Sequence, residues 1–176
     1  VIDSCNLSTG TGLTVVAAGK MIEQGMDAET IAEKLRAGTS RRHASFILDT
    51  LTFLSAGGRC SSVTAFGANM LKLKPCIQVD NHDGSMTVGK KYRGSLDKVL
   101  VKYVKDELAR YSDINTDLLF ITHSGIPQDY IDLVKKTVED TITFKEIHIT
   151  KASCTISCHC GPNTLGILFE SNSSSI

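Results

Sequence analysis

The sequence predicts a mixed α/β fold, on three observations. Between residues 72 and 170 the apolar residues switch between a two-residue and a 3.6-residue period in the order β-β-α-β-α-β-loop-β, the pattern of a sheet with helices packed on it. Between residues 1 and 70 the periodic segments are mainly helical, with at most two short strands, too few for a sheet of their own. The 176 residues are 41% hydrophobic and 22% charged, enough apolar material for one ordinary core, or one and a fraction.

The elements follow in order. Ser8 and Thr9 are placed to cap a helix whose apolar positions Leu13, Val16, Ala17 and Met21 recur at helical spacing, with Gly25 as its stop. Asp27 caps a second helix carrying Ile31 and Leu35 at i,i+4, and the polar run from Gly38 to His43 ends or bends it. Phe46, Ile47 and Leu48 read as a short buried strand. Leu51 and Leu54 mark a brief helix before the breaker Gly57-Gly58, and Val63, Phe66, Gly67 and Met70 a further helical stripe. The period then shortens. Leu73, Cys76, Ile77 and Val79, the turn Asn81-His82-Asp83-Gly84, then Met86 and Val88 describe a β-hairpin. Leu96, Val99, Leu100, Tyr103, Val104 and Leu108 form the strongest helical stripe in the chain. Leu118 to Ile121 is a buried strand, and Pro127 opens a helix carrying Ile131, Val134 and Val138. Phe144 to Ile149 is the next strand, a Cys-rich loop with Gly161-Pro162 follows, and Leu165, Ile167 and Phe169 alternate as the last strand before a polar tail.

Composition excludes several function classes. Lys plus Arg and Asp plus Glu number 19 each, so the formal net charge is zero, and a nucleic-acid role, which wants a concentrated basic excess, is not expected. No run approaches the roughly 20 apolar residues of a bilayer span, and the first residues lack the basic and apolar regions of a signal peptide. The expectation is a cytoplasmic protein whose six cysteines are reduced thiols. Val1 opens directly on what reads as the end of a strand, which suggests a fragment.

The nucleophile elbow, the H-E-x-x-H zinc motif, the P-loop and the full dinucleotide fingerprint are all absent from the sequence. Gly10-Thr11-Gly12 reads as a tight turn into a helix, or as a place for a polar group at the helix N-terminus. Cys154, Cys158 and Cys160 with His159 supply zinc-type donors, but on an extended backbone Cys158 and Cys160 point one way and His159 the other, so the spacing is poor. Another alternative is a small hydrolase or phosphoryl-transfer enzyme using His159 with Ser157 or Asp residues. His159 sits in a loop tightened by Gly-Pro and Asn, where an imidazole can hydrogen-bond a carboxylate or phosphate. His123, at the C-terminal end of a strand, has a weaker case of the same kind, whereas His43, His82 and His148 read as surface residues. Arg59 and Arg93 lie at element ends from which a guanidinium can reach an anion.

Several motifs, in order, cover nearly the whole chain: Ile2-Asp3-Ser4, Ser8-Thr9-Gly10-Thr11-Gly12-Leu13, the run from Phe46 to Leu54, Gly57-Gly58-Arg59, Leu73-Lys74-Pro75, Asp83-Gly84, Lys91-Tyr92-Arg93-Gly94, and the run from His159 to Gly166. As an ordered set they resemble the DegV family, whose better understood members are fatty-acid-binding carriers, of the FakB type, for a bacterial fatty acid kinase. Members of that family carry roughly another hundred residues before the Asp-Ser motif. The resemblance therefore implies that residues 1–60 are the end of an incomplete Rossmann-like N-terminal domain and residues 61–176 a two-layer α/β sandwich. It implies a non-enzymatic role without a catalytic residue, metal or cofactor: a long-chain fatty acid bound and presented to a dihydroxyacetone-kinase-like fatty acid kinase for phosphorylation and phospholipid synthesis, with membranes met only transiently. By the same resemblance His159 and Arg59 hold the fatty-acid carboxylate and Arg93 faces the kinase. Phe53, Phe66, Met70 and Leu71 are candidates for the acyl pocket. Asn163 stands after Pro162 where Gly is more usual in the family, a substitution that left-handed backbone tolerates.

Overall fold

The computed structural model describes residues 1–58 and 73–173. Helices α1 (Thr9–Glu23) and α2 (Ala28–Ala37) lead into strand β1 (Arg42–Ile47) and the short helix α3 (Thr52–Ala56). The hairpin β2 (Leu73–Val79) and β3 (Met86–Arg93) precedes α4 (Leu96–Leu108), β4 (Ile114–His123), α5 (Gln128–Thr141), β5 (Glu146–Lys151), α6 (Cys154–Cys160) and β6 (Leu165–Ser171). The Arg59 to Leu71 segment, with the expected stripe at Val63, Phe66 and Met70, lies outside the described residues.

The six strands form one sheet in the order β3-β2-β1-β6-β4-β5, antiparallel except for the β4-β5 pair. That parallel pair needs a crossover, which α5 supplies. The mixed α/β class is therefore as expected. The division expected at residue 60 runs between β1 and β2, which are hydrogen-bonded neighbours in register Phe46↔Ile77, and the sheet is continuous across it. Local periodicity marks Phe46 to Leu48 as buried but carries no information about partners.

Alternation along the strands divides the sheet into two faces. On the first, Ile47, Leu119, Ile121, Leu165, Ile167 and Phe169 pack against the apolar stripes of α4 and α5. Tyr103 of α4 is fully buried there, and its hydroxyl donates to the Ser45 carbonyl (2.7 Å) and accepts from the Ile167 amide (3.1 Å). One phenol thus ties β1 to β6. On the second face, Ala44, Phe120 and Leu168 meet Leu13 of α1, while Leu48 and Ile77 meet Leu54 of α3 and Cys160 of α6.

Two local expectations are corrected. The Cys-rich segment is a helix, α6, rather than a loop: Ser153 caps it by accepting from the Ile156 amide, and the left-handed Gly161 (φ 76°) ends it. His43 is buried rather than on the surface, because its position in β1 points it to the first face beside Tyr111 and Phe169. Asp27 caps α2 as expected, accepting from the Thr30 amide (2.9 Å). Ser8 occupies the capping position of α1, but its side chain makes no capping bond. The Thr9 hydroxyl instead bonds that of Thr122 on β4 (2.5 Å), which in turn bonds that of Thr150 on β5 (2.8 Å).

Candidate functional site

The second face of the sheet is not completely covered. Between the start of α1 and the α3-α6 pair lies a cavity of about 220 Å³, floored by Phe46, Gly166 and Thr122 and closed around by Leu7, Leu54, Met86, Ile156, His159 and Leu168. No Lys, Arg, Asp or Glu lines it among the described residues, which suits an apolar ligand. Gly166 creates the floor, since it has no side chain where its neighbours across the ladder are Phe46 and Thr122. A Cβ there would stand 2.5 Å from the Ser45 carbonyl oxygen and 2.9 Å from the Phe46 Cβ. A larger cleft, about 560 Å³, opens between α1, α2 and the far ends of β4 and β6, but Lys20, Lys34, Arg41, Asp117 and Glu170 line it.

His159 stands at one end of the apolar cavity, held by the close approach of α6 to α3. Glycines permit that approach: a Cβ on Gly57 would lie 2.3 Å from His159 Nδ1, and one on Gly161 would lie 2.4 Å from the Phe53 ring. His159 Nδ1 is buried and has no hydrogen-bond partner among the described residues. Such a group costs about 1–3 kcal/mol in a finished structure, and functional sites are where the cost is tolerated.

The loop after α6 is fixed on both sides. Asn163, with φ 58°, adopts the left-handed backbone expected of it, and its amide side chain donates to Asp49 Oδ2 (3.1 Å). Asp49 also pairs with Lys74. Burial alone would raise the Asp49 carboxyl, but these two hydrogen bonds hold it below the usual carboxylate range. Three of the sequence motifs therefore meet in one cluster. On the other side Ser124 donates to the Gly161 carbonyl and accepts from the Thr164 amide. His123 also lines the cavity, with Nδ1 accepting from the Gly125 amide (3.2 Å), and burial together with Lys151 lowers its pKa.

The candidate residues fall into distinct places. Phe53 is 40% exposed and packs on Gly161 outside the cavity, and the α3 residue that reaches the cavity is Leu54. Arg93 is exposed at the end of β3, opposite Leu73, at the same end of the sheet as the last residues of β1 and β4. Arg59, Phe66 and Met70 lie outside the described residues. Leu7 and Leu168 were not singled out by sequence reasoning, and Met86 and Gly166 entered it only as a hairpin position and the end of a motif, because each carries only an ordinary apolar or turn signal. The three clustered thiols are not gathered: Cys154 and Cys158 are exposed and Cys160 is buried, and among the described residues no three His, Cys, Asp or Glu side chains are placed to hold a metal. The Ser157 hydroxyl donates to the Ala152 carbonyl (3.4 Å). None of the described helices is long and apolar enough to cross a membrane.

Comparison with known proteins bears on the family and the fold. A family model described as uncharacterised protein, DegV family, matches residues 1–172. A DegV domain-containing protein of Caldanaerobacter subterraneus is 25% identical over 172 residues, covering 97% of this chain and 59% of the relative. The chain thus spans about three fifths of the length of that relative. Among solved structures, a DegV family protein from Thermus thermophilus described for fatty acid binding is 25% identical with a TM-score of 0.84, over 97% of this chain and 60% of that one. The Streptococcus pneumoniae Fatty Acid Kinase (Fak) B3 protein loaded with linoleic acid is 21% identical with a TM-score of 0.82, over 98% and 59%.

Proposed function

We infer that this chain, which belongs to the DegV family by the match over residues 1–172, forms one wall of a binding site for a long-chain fatty acid and performs no chemistry itself. The observation that carries the reading is the apolar cavity, without charged lining among the described residues, with a histidine on its wall whose buried Nδ1 lacks a partner among them. An acyl chain gains about 0.8 kcal/mol per buried methylene, so an apolar trough holds it without any reactive group. A carboxylate at the His159 end supplies the polar partner the imidazole lacks, and by family resemblance Arg59 adds a positive charge there. The whole protein then acts in the cytoplasm as a carrier that presents the bound carboxylate to a fatty acid kinase for phosphorylation and phospholipid synthesis. Support for the kinase comes from the structural likeness to the Fak B3 protein. Arg93, exposed at the end of the sheet where β1 runs towards α3 and α6 runs into β6, is assigned to the kinase-facing surface.

Calorimetric titration of palmitic acid into the full-length protein and its His159→Ala variant tests the reading. Loss of one hydrogen bond to a charged group, about 1.5–3 kcal/mol, predicts weakening of about 10- to 150-fold with the fold intact. Equal affinity in the two proteins removes His159 from the site, and no binding in either removes the fatty acid.

A further inference from the structure

The second face is built in rungs that can be read off the strand register. Thr164, which follows α6 and whose hydroxyl donates to the Cys160 carbonyl (2.9 Å), lines the cavity together with His159. Gly166 is flanked by Phe46 and Thr122 on the next rung, and Leu168 by Ala44 and Phe120 on the one after. Among the described residues the next rung along, Arg42 and Glu170, no longer lines the cavity. Leu168 packs with Leu13 and Leu118 in one buried cluster, and the following rung holds the Arg42–Glu170 ion pair (2.8 Å), with the arginine side chain only 1% exposed. Methylenes driven against that pair would disrupt the solvation of a buried charge without replacing it.

Resting on the fatty-acid reading above, we infer that Leu168 and Ala44 form the wall at which an extended acyl chain must stop or turn, about ten carbons from its carboxylate. The distance follows from the backbone. Four residues of strand from Thr164 to Leu168 span about 13 Å at roughly 3.3 Å per residue. With C–C bonds near 1.5 Å and tetrahedral angles, an extended hydrocarbon advances about 1.25 Å per carbon. A longer chain is accommodated only by turning at this wall, towards the flexible Met86 side chain on the hairpin.

The test is a series of straight saturated fatty acids, from about 8 to about 18 carbons, titrated against the full-length protein and two variants. In the wild type each added methylene improves affinity about fourfold up to roughly ten carbons, and less than twofold beyond. Leu168→Ala extends the steep part of the series by about two or three carbons, and Ala44→Leu shortens it by a similar amount. Circular dichroism checks that each variant folds, and Leu168→Val, a milder truncation, carries the same test with a shift of about one carbon. A break at the same length in all the proteins overturns the assignment of the wall while leaving fatty-acid binding in place. Failure of the wild type to bind any member of the series overturns the underlying reading instead.

Discussion

Gly57 offers a way to move the His159 imidazole without removing it. A Cβ at residue 57 would lie 2.3 Å from His159 Nδ1, whereas ordinary contact begins near 3.4 Å, so the ring must retreat by about 1 Å. The backbone at Gly57 has φ −76° and ψ −5°, which alanine adopts freely, so the substitution itself adds no backbone strain. A carboxylate hydrogen bond of about 2.8 Å stretched by that much is no longer a hydrogen bond. Gly57→Ala is therefore expected to weaken fatty-acid binding by about 10- to 150-fold, matching the loss of a bond to a charged group at roughly 1.5–3 kcal/mol. Calorimetric titration of palmitic acid reads the affinity and thermal unfolding reads stability. The double variant with His159→Ala should bind no more weakly than His159→Ala alone, since the two changes remove the same contact. Wild-type affinity in Gly57→Ala, or additive losses in the double variant, would refute the reasoning.

Two further consequences, at His43 and Tyr103, are independent of the lipid. His43 is neutral in the fold: its Nε2–H donates to Ser171 Oγ, Nδ1 accepts from Asn81, and burial, helped by Arg110 and opposed by Asp113, pushes its pKa down to about 4. Because the folded value is below the unfolded 6.5, the unfolded chain binds more protons in that range. Stability is then complete above about pH 6.5 and declines by roughly 3 kcal/mol as pH falls to 4. Denaturant titrations across that range should show the slope, and His43→Gln should flatten it; an equal slope in the variant would assign it to other groups. Tyr103→Phe strips partners from Ser45 and Ile167 and should cost about 2 kcal/mol in chemical denaturation while leaving fatty-acid affinity unchanged; a loss below a few tenths of a kcal/mol would contradict the bridging role. Arg93→Ala should bind fatty acid normally and slow its phosphorylation by a fatty acid kinase, and unchanged turnover would remove Arg93 from that surface.

Much of the fold was legible because several elements carry strong local signals. The Val99 to Leu108 stripe, the Asp27 cap and the Asp83-Gly84 turn each state a local geometry that tertiary packing then respects. What could not be read was pairing: nothing in residues 42–47 says that they lie between β2 and β6. Helix α6 was hidden because seven residues of Cys, Ser, Thr, Ile and His make two turns without a repeating apolar stripe, although Ser153 is a capping signal. His43 was hidden because a strand of alternating faces buries whatever stands on the inner side, polar or not. At the site, the motif residues Asp49, Lys74 and Asn163 were visible as a set, and their meeting around the loop after α6 emerges only in three dimensions. Leu54 and Phe53 show the same limit: adjacent on a five-residue helix, one faces the cavity and the other packs on Gly161 outside it, and no period is long enough to say which.

The central claim, that the trough on the second face carries an acyl chain, is tested most directly by mass spectrometry of the full-length protein purified from cells, under native and then denaturing conditions. The expected result is a native mass exceeding the chain mass by one fatty acid, released on denaturation and diminished in His159→Ala. A native mass equal to that of the chain, with no uptake of added palmitic or oleic acid, would contradict it.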